Sequence, residues 1–203
     1  MEWRILTAEE LNEMYDRELG RDFPENELRP RAAAVELVRR GLYRPWAVFD
    51  PAPGAAGPAP MSRLCAYLFV AENGPGPVLL DYFAVLPAWR AKGLGAGLLA
   101  QLSAREGRAV LIESELPTRA PDPDMARRRI GFYRRCGALL TPYWDRAFQG
   151  LFRLLVLPAP ASSARPEEAG PALAGIYRAL LPGEHFARDF DWGRVETDFP
   201  DEA

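Results

Sequence analysis

With 203 residues, 48% of them hydrophobic and 26% charged, the chain falls in the globular class and is long enough to bury one ordinary core. Its formal net charge of -3 lacks the basic excess of a nucleic-acid binder, and no apolar run approaches the roughly 20 residues that cross a bilayer, so neither nucleic acid nor membrane is an expected partner. The single histidine, His185, leaves a Ser/His/Asp hydrolase or a His-rich metal site one imidazole to work with, and Cys65 and Cys136 form no CxxC pair, so no metal is expected and both thiols are read as reduced and buried.

The opening MEWRILTAEE is acidic where a signal peptide is basic and then apolar, which predicts a cytoplasmic protein. Residues 2–6 read as a short strand. Thr7 followed by Glu10 is a capping box that predicts a helix to about Leu19 with Gly20 as its stop, and a second helix is expected over Arg31–Arg40, ending at Gly41. PWAVFD is a strand candidate, and Pro51 to Pro60 reads as a flexible hairpin loop without core-building side chains. LCAYLFVAE and VLLDYFAVLP are apolar, β-branched and aromatic runs joined by NGPGP, which predicts two sequential antiparallel strands.

Beyond Val85 the periodicity changes. Leu94, Leu98 and Leu102 recur every four residues, so Gly93 to about Arg105 is an amphipathic helix closed by Gly107. AVLIESEL is a strand, Met125–Cys136 a helix capped by Asp124 and terminated at Gly137, and TPYWD and LFRLLVL are two more strands. These elements make up a domain over residues 1–157. Residues 158–203 read as a C-terminal extension, a docked helix around Glu167 to Leu181 followed by an acidic tail that is docked or partly disordered. The tail, after about Pro182, and the Pro51 to Pro60 loop lack core periodicity and are expected to be dispensable for ligand binding.

The stretch LLDYFAVLPAWRAKGLGAGLLAQL is a strand, a turn, a basic glycine-rich loop and a helix. A helix start leaves about four backbone N–H groups unpaired at the positive end of the macrodipole, a ready site for a pyrophosphate. Gly93 and Gly95 let phosphates approach the backbone, and Arg90 and Lys92 add positive charge. Glycine costs about 1 kcal/mol against alanine inside a helix, so this density of glycine calls for a reason. Two familiar phosphate loops fail on residues: no glycine is followed by Lys and then Ser or Thr, and a dinucleotide fingerprint started at Gly93 would need glycine where Leu98 stands.

Arg90, Ala91, Lys92, Gly93, Leu94 and Gly95 follow the pattern [RQ]-x-x-G-x-[GA] after a strand, and RRIGFYRRCGAL matches a later F-Y-x-x-x-G element. In this the chain resembles the GNAT (GCN5-related N-acetyltransferase) superfamily over about Leu79 to Leu140. The resemblance implies an α/β fold with a mixed, mostly antiparallel central sheet flanked by helices, splayed near its middle so that acetyl-CoA lies between the strands ending at Val85 and Leu116. It implies that the backbone of Phe83, Ala84 and Val85 pairs with the pantetheine arm, and that Arg90, Ala91, Lys92, Gly93, Leu94, Gly95 and Ala96 cradle the pyrophosphate. Ala126 stands where many relatives carry an asparagine that contacts the cofactor.

Acyl transfer to an amine needs a base for the ammonium proton and an acid for the leaving thiolate. By the resemblance Tyr133 is the acid. Glu113 matches the position where some members carry a base and is the first choice. Glu113 and Glu115 lie two apart and share a strand face, where like charge could raise one pKa, or where both could be solvated or paired with an arginine. Asp81 and a water remain alternatives. The function implied is acetyl transfer from acetyl-CoA to a small-molecule or peptide acceptor, expected to be a primary amine, by direct attack in a ternary complex, since neither cysteine has an adjacent base. A non-catalytic acyl-CoA-binding or regulatory protein of the same fold is the alternative, and an interaction module acting through the acidic tail is a third. A homodimer stays open.

Overall fold

A computed structural model describes residues 1–51, 57–160, 165–181 and 183–199. The centre of the expected Pro51 to Pro60 loop, part of the Pro/Ala/Ser-rich segment and the last four residues lie outside the described residues. The strands form a mixed, mostly antiparallel arrangement with flanking helices, as expected. The chain divides into two compact units, Met1–Ala71 with Leu80–Leu98, and Glu72–Leu79 with Leu99–Ala203.

In the first unit the strand order is β1 (Glu2–Ile5), β2 (Tyr43–Phe49), β3 (Leu64–Ala71), β4 (Val78–Val85). β1 and β2 pair antiparallel with Glu2 opposite Phe49, and β2 and β3 with Tyr43 opposite Ala71 and an irregularity at Val48/Phe49. Every residue of β3 is buried, which explains why its sequence is a continuous apolar run with no alternation. Thr7 caps α1 (Ala8–Met14) through the capping box, its hydroxyl accepting from the Glu10 N–H at 3.2 Å while Glu10 accepts from the Thr7 N–H at 3.0 Å. Gly20 is not the stop: its φ of -66° is helical, and α1 continues through a π-helical turn (Tyr15–Leu19) into α2 (Gly20–Asp22), ending at extended Phe23 before Pro24. The residue before a proline is biased to extended backbone, and that bias rather than the glycine terminates the helix. α3 (Arg31–Arg39) ends before Gly41, whose φ of 70° reverses the chain. Leu11, Met14 and Leu19 from the helical segment and Tyr67 and Phe69 from β3 form the core.

α4 (Leu94–Glu106) buries Leu98, Leu99 and Leu102 and closes at Gly107, φ 62°. Gly93, with φ of 71°, lies outside it.

In the second unit the order is β5 (Val110–Glu115), β7 (Gly150–Leu157), β6 (Leu139–Ala147), β8 (Phe190–Arg194), all antiparallel. α5 (Pro123–Arg135) is capped by Asp122, not Asp124: the Asp122 carboxylate accepts from the Met125 N–H at 2.9 Å. Pro123 takes the first helical position, where its missing N–H costs nothing, and this moves the cap one residue ahead of it. α6 spans Ala169–Leu180, within the stretch expected to be helical. The tail does more than dock. It supplies α7 (Glu184–Asp189), β8 and α8 (Val195–Asp198); β8 pairs with β6 from Tyr143 opposite Arg194 to Ala147 opposite Phe190, and the Trp144 indole N–H donates to Asp198 at 2.8 Å. The acidic composition hides this because β8 is an edge strand, and an edge tolerates Asp191 and Arg194 beside solvent. Cys65 is buried as expected, whereas Cys136 is only half-buried at the C-terminus of α5. Among the described residues no helix is long and apolar enough to cross a membrane.

Candidate active site

In the first unit β4 ends at Val85, where the Leu86 N–H donates to the Cys65 carbonyl at 2.8 Å, and a 3-10 turn (Pro87–Trp89) leads into the glycine-rich loop. Arg90 donates through Nε to the Val85 carbonyl at 2.7 Å and reaches Asp22 at 3.4 Å. Lys92 donates to the Ala88 carbonyl at 3.0 Å and lies 5.1 Å over the Trp89 ring. Both cations therefore brace the loop while keeping it electropositive. Ala91 and Gly93 have φ of 61° and 71°, left-handed values that only glycine adopts without strain. A Cβ built on Gly93 or Gly97 meets nothing within 4 Å, so the space in front of the loop is open. An open glycine-rich turn leading into a helix N-terminus, with Arg90 and Lys92 beside it, has the features of a site for an anionic phosphate group.

Phe83, Ala84 and Val85 are half-buried at the end of β4. Asp81, on the same strand, is committed elsewhere. It accepts from Arg29 at 3.2 Å and from the Tyr43 hydroxyl at 2.5 Å. Arg29 is 3% exposed; its backbone N–H donates to the Tyr82 hydroxyl at 2.7 Å, and its carbonyl accepts from Tyr15 at 2.7 Å. Burial, and then the Asp81 charge, push the Tyr43 hydroxyl well above the usual phenol range. Arg29 and Tyr43 between them occupy both oxygens of Asp81.

In the second unit Glu113 and Glu115 share a face of β5 but have different partners. Glu115 is ion-paired with Arg129 of α5. Glu113 accepts the Tyr177 hydroxyl of α6 at 2.9 and 3.1 Å through its two oxygens. The like-charged group against Glu113 is Asp145 of β6, fully buried, whose carboxyl is pushed well above the usual range first by burial and then by Glu113. Tyr133 is half-buried on α5 beside Phe132, at 5.3 Å between ring centroids. Its surroundings push the hydroxyl up to about 12, against a smaller opposing effect of Arg129, so it is fully protonated at neutral pH.

Asp145 and Tyr177 do not stand out when only motifs are sought. The signal for Asp145 is its phase: it alternates with Tyr143 and Ala147, both buried, so an acid occupies the inward position of β6. Tyr177 lies on the apolar stripe of α6 with Leu173 and Leu180.

No family model matches the sequence, and no curated protein matches it. Among solved structures, a chain from Bacteroides thetaiotaomicron assigned to the GNAT acetyltransferases is 21% identical with a TM-score of 0.63, over 84% of this chain and 93% of that one. The spermidine N-acetyltransferase of Vibrio cholerae, solved with CoA and spermine, is 11% identical with a TM-score of 0.54, over 78% and 95%. The ribosomal-protein-S18-alanine N-acetyltransferase of Escherichia coli is 14% identical with a TM-score of 0.52, over 81% and 97%. The chain has the fold of the GNAT acetyltransferase superfamily.

Proposed function

We propose that this protein transfers an acetyl group from acetyl-CoA to a primary amine, in the cytoplasm, by direct attack in a ternary complex. The observation that carries this is the Arg90–Ala96 loop: an electropositive turn with left-handed Ala91 and Gly93, braced by its own cations and opening into the first turn of α4. The matched fold adds that solved neighbours of the same architecture are named for amine acetylation, of spermidine in one case and of a ribosomal protein's alanine in another.

Acetyl-CoA supplies a thioester whose acetyl carbon is attacked and whose thiolate leaves. Gly93 to Ala96 hold its phosphates, and the backbone of Phe83 to Val85 holds its pantetheine arm. Tyr133, with its raised pKa, keeps its proton at neutral pH and delivers it where the leaving sulfur needs one. Glu113, half-buried at one end of a hydrogen bond to Tyr177, takes a proton from the substrate ammonium, and the free amine then attacks the acetyl carbon. Asp81 is set aside because Arg29 and Tyr43 occupy it, and Glu115 because Arg129 does.

Thiol release from acetyl-CoA across a panel of polyamines, amino acids, aminoglycosides and peptide N-termini tests this. Tyr133→Phe is expected to lower turnover by about tenfold or more, toward the roughly 10⁴-fold range of general acid catalysis, with acetyl-CoA affinity little changed. Glu113→Gln should show a deficit that shrinks as pH rises and the amine deprotonates unaided. Acetyl-CoA binding with no thiol release on any amine would identify the protein as a non-catalytic acyl-CoA binder instead.

A further inference from the structure

The antiparallel register of β5, β7 and β6 brings two carboxyl groups to one sheet face. Glu113 is opposite Leu154, and Phe152 is opposite both Glu115 and Asp145. Alternate residues of a strand share a face, so Glu113, Leu154, Phe152 and Asp145 project the same way. Asp145 is 0% exposed, and neither of its oxygens receives a hydrogen bond from an N–H or hydroxyl donor among the described residues. The polar group that meets it is the Glu113 carboxylate. Two ionised carboxylates are acceptors only, so this contact becomes a hydrogen bond only when a proton lies between them. Full burial strongly disfavours an ionised carboxylate that has no donor.

The elements packed around the pair bring mostly apolar and ring groups to its face. From β7 come the apolar Phe152 and Leu154; Arg153 points to the opposite face, donating to the carbonyls of Thr141 and Tyr143 at 2.5 and 3.0 Å. From α6 comes Tyr177, a donor to Glu113, and behind it Phe190 of β8, stacked at 4.3 Å. Glu115 is held by Arg129, and on α7 His185 and Arg188 are both turned to Asp189. Glu113 is half-buried whereas Asp145 is fully buried, so Glu113 is the member of the pair nearer to solvent.

We propose that Asp145 is a positioning residue that keeps its proton at neutral pH and donates it in a hydrogen bond to Glu113, so that the pair carries one negative charge, on Glu113. Burial and the Glu113 charge both act in this direction on the Asp145 carboxyl. Glu113 is then held from two sides, by the Tyr177 and Asp145 hydroxyl groups, and accepting one further proton turns the pair neutral. The catalytic consequence rests on Glu113 as the base in the proposed acetyl transfer; the shared proton does not.

Infrared spectroscopy of the full chain at neutral pH, with no substrate, reads the proton directly. The expected result is a carboxylic-acid C=O band that shifts in D₂O and is lost in Asp145→Asn, a near-isosteric change. In Glu113→Gln the like charge is gone, and the band should disappear at lower pH than in the wild type. This second variant keeps the question decidable if Asp145→Asn fails to fold. Absence of the band in the wild type, or its survival in Asp145→Asn, overturns the proposal. With an amine substrate in hand, Asp145→Asn should move the acidic limb of the turnover profile upward by about one pH unit, tenfold in the ionised fraction of Glu113, because an amide is a weaker donor than a carboxylic acid. An unmoved limb overturns the positioning role. A wild-type protein that acetylates nothing overturns the proposed function while the infrared band still decides where the proton lies.

Discussion

Asp81→Asn separates a structural carboxylate from a catalytic one. The side chains of Arg29 and Asp81 are 3% and 9% exposed and meet at 3.2 Å, with Nε of the same guanidinium 3.4 Å from the other oxygen. Two unit charges at that distance attract by about 5 kcal/mol at an effective dielectric of 20. Asparagine keeps an oxygen for the Tyr43 hydroxyl but removes the charge, and arginine cannot relieve its burial by losing a proton. Breaking a buried pair from one side costs about 3–5 kcal/mol, a large share of the roughly 5–15 kcal/mol of a whole domain. Urea denaturation followed by far-UV circular dichroism should therefore show a midpoint lowered with the slope unchanged. Arg29→Met combined with Asp81→Asn should recover part of the loss, since no orphaned charge remains. A loss under about 1 kcal/mol in Asp81→Asn would refute the assignment of Asp81 to the Arg29 network and return it to the candidates for the base.

Gly95→Asp places a negative charge in the first turn of α4, which favours the helix but opposes a pyrophosphate; acetyl-CoA affinity measured by calorimetry should fall more than tenfold, or about 1.4 kcal/mol, with the melting temperature retained. Gly170→Ala puts a Cβ 2.6 and 2.8 Å from the Trp192 ring and 2.9 Å from Tyr143. Rings held between β6 and β8 cannot yield as a flexible chain end does, so overpacking of about 1–3 kcal/mol exceeds the helix-propensity gain of about 1 kcal/mol, and chemical denaturation should show net destabilisation. Ending the chain at Leu181 removes β8, uncovers the edge of β6 and strips Phe190 from Tyr177; the shortened protein should be less stable and more prone to aggregate in light scattering, and an unchanged midpoint would show that β8 is dispensable.

Local signals in the sequence were enough for the Thr7 capping box, the fully apolar β3, the leucine periodicity of α4 and the strand–loop–helix order around Arg90, because each depends on residues within a few positions of one another. The same holds for the spacing that placed Glu113 and Glu115 on one face. Their different fates were set by the tertiary structure: Arg129 lies 14 residues from Glu115, and Tyr177 lies 64 residues from Glu113. Nothing within a few residues of Asp81, an alternative to Glu113 for the base, shows that it is engaged; the fold brings Arg29, 52 residues away, against it. Asp145 shows the limit most clearly. Its inward phase on β6 is written in TPYWDRA, but its proton depends on what else is buried there, and burial, like the charge that accompanies it, belongs to the packed molecule rather than to the residue.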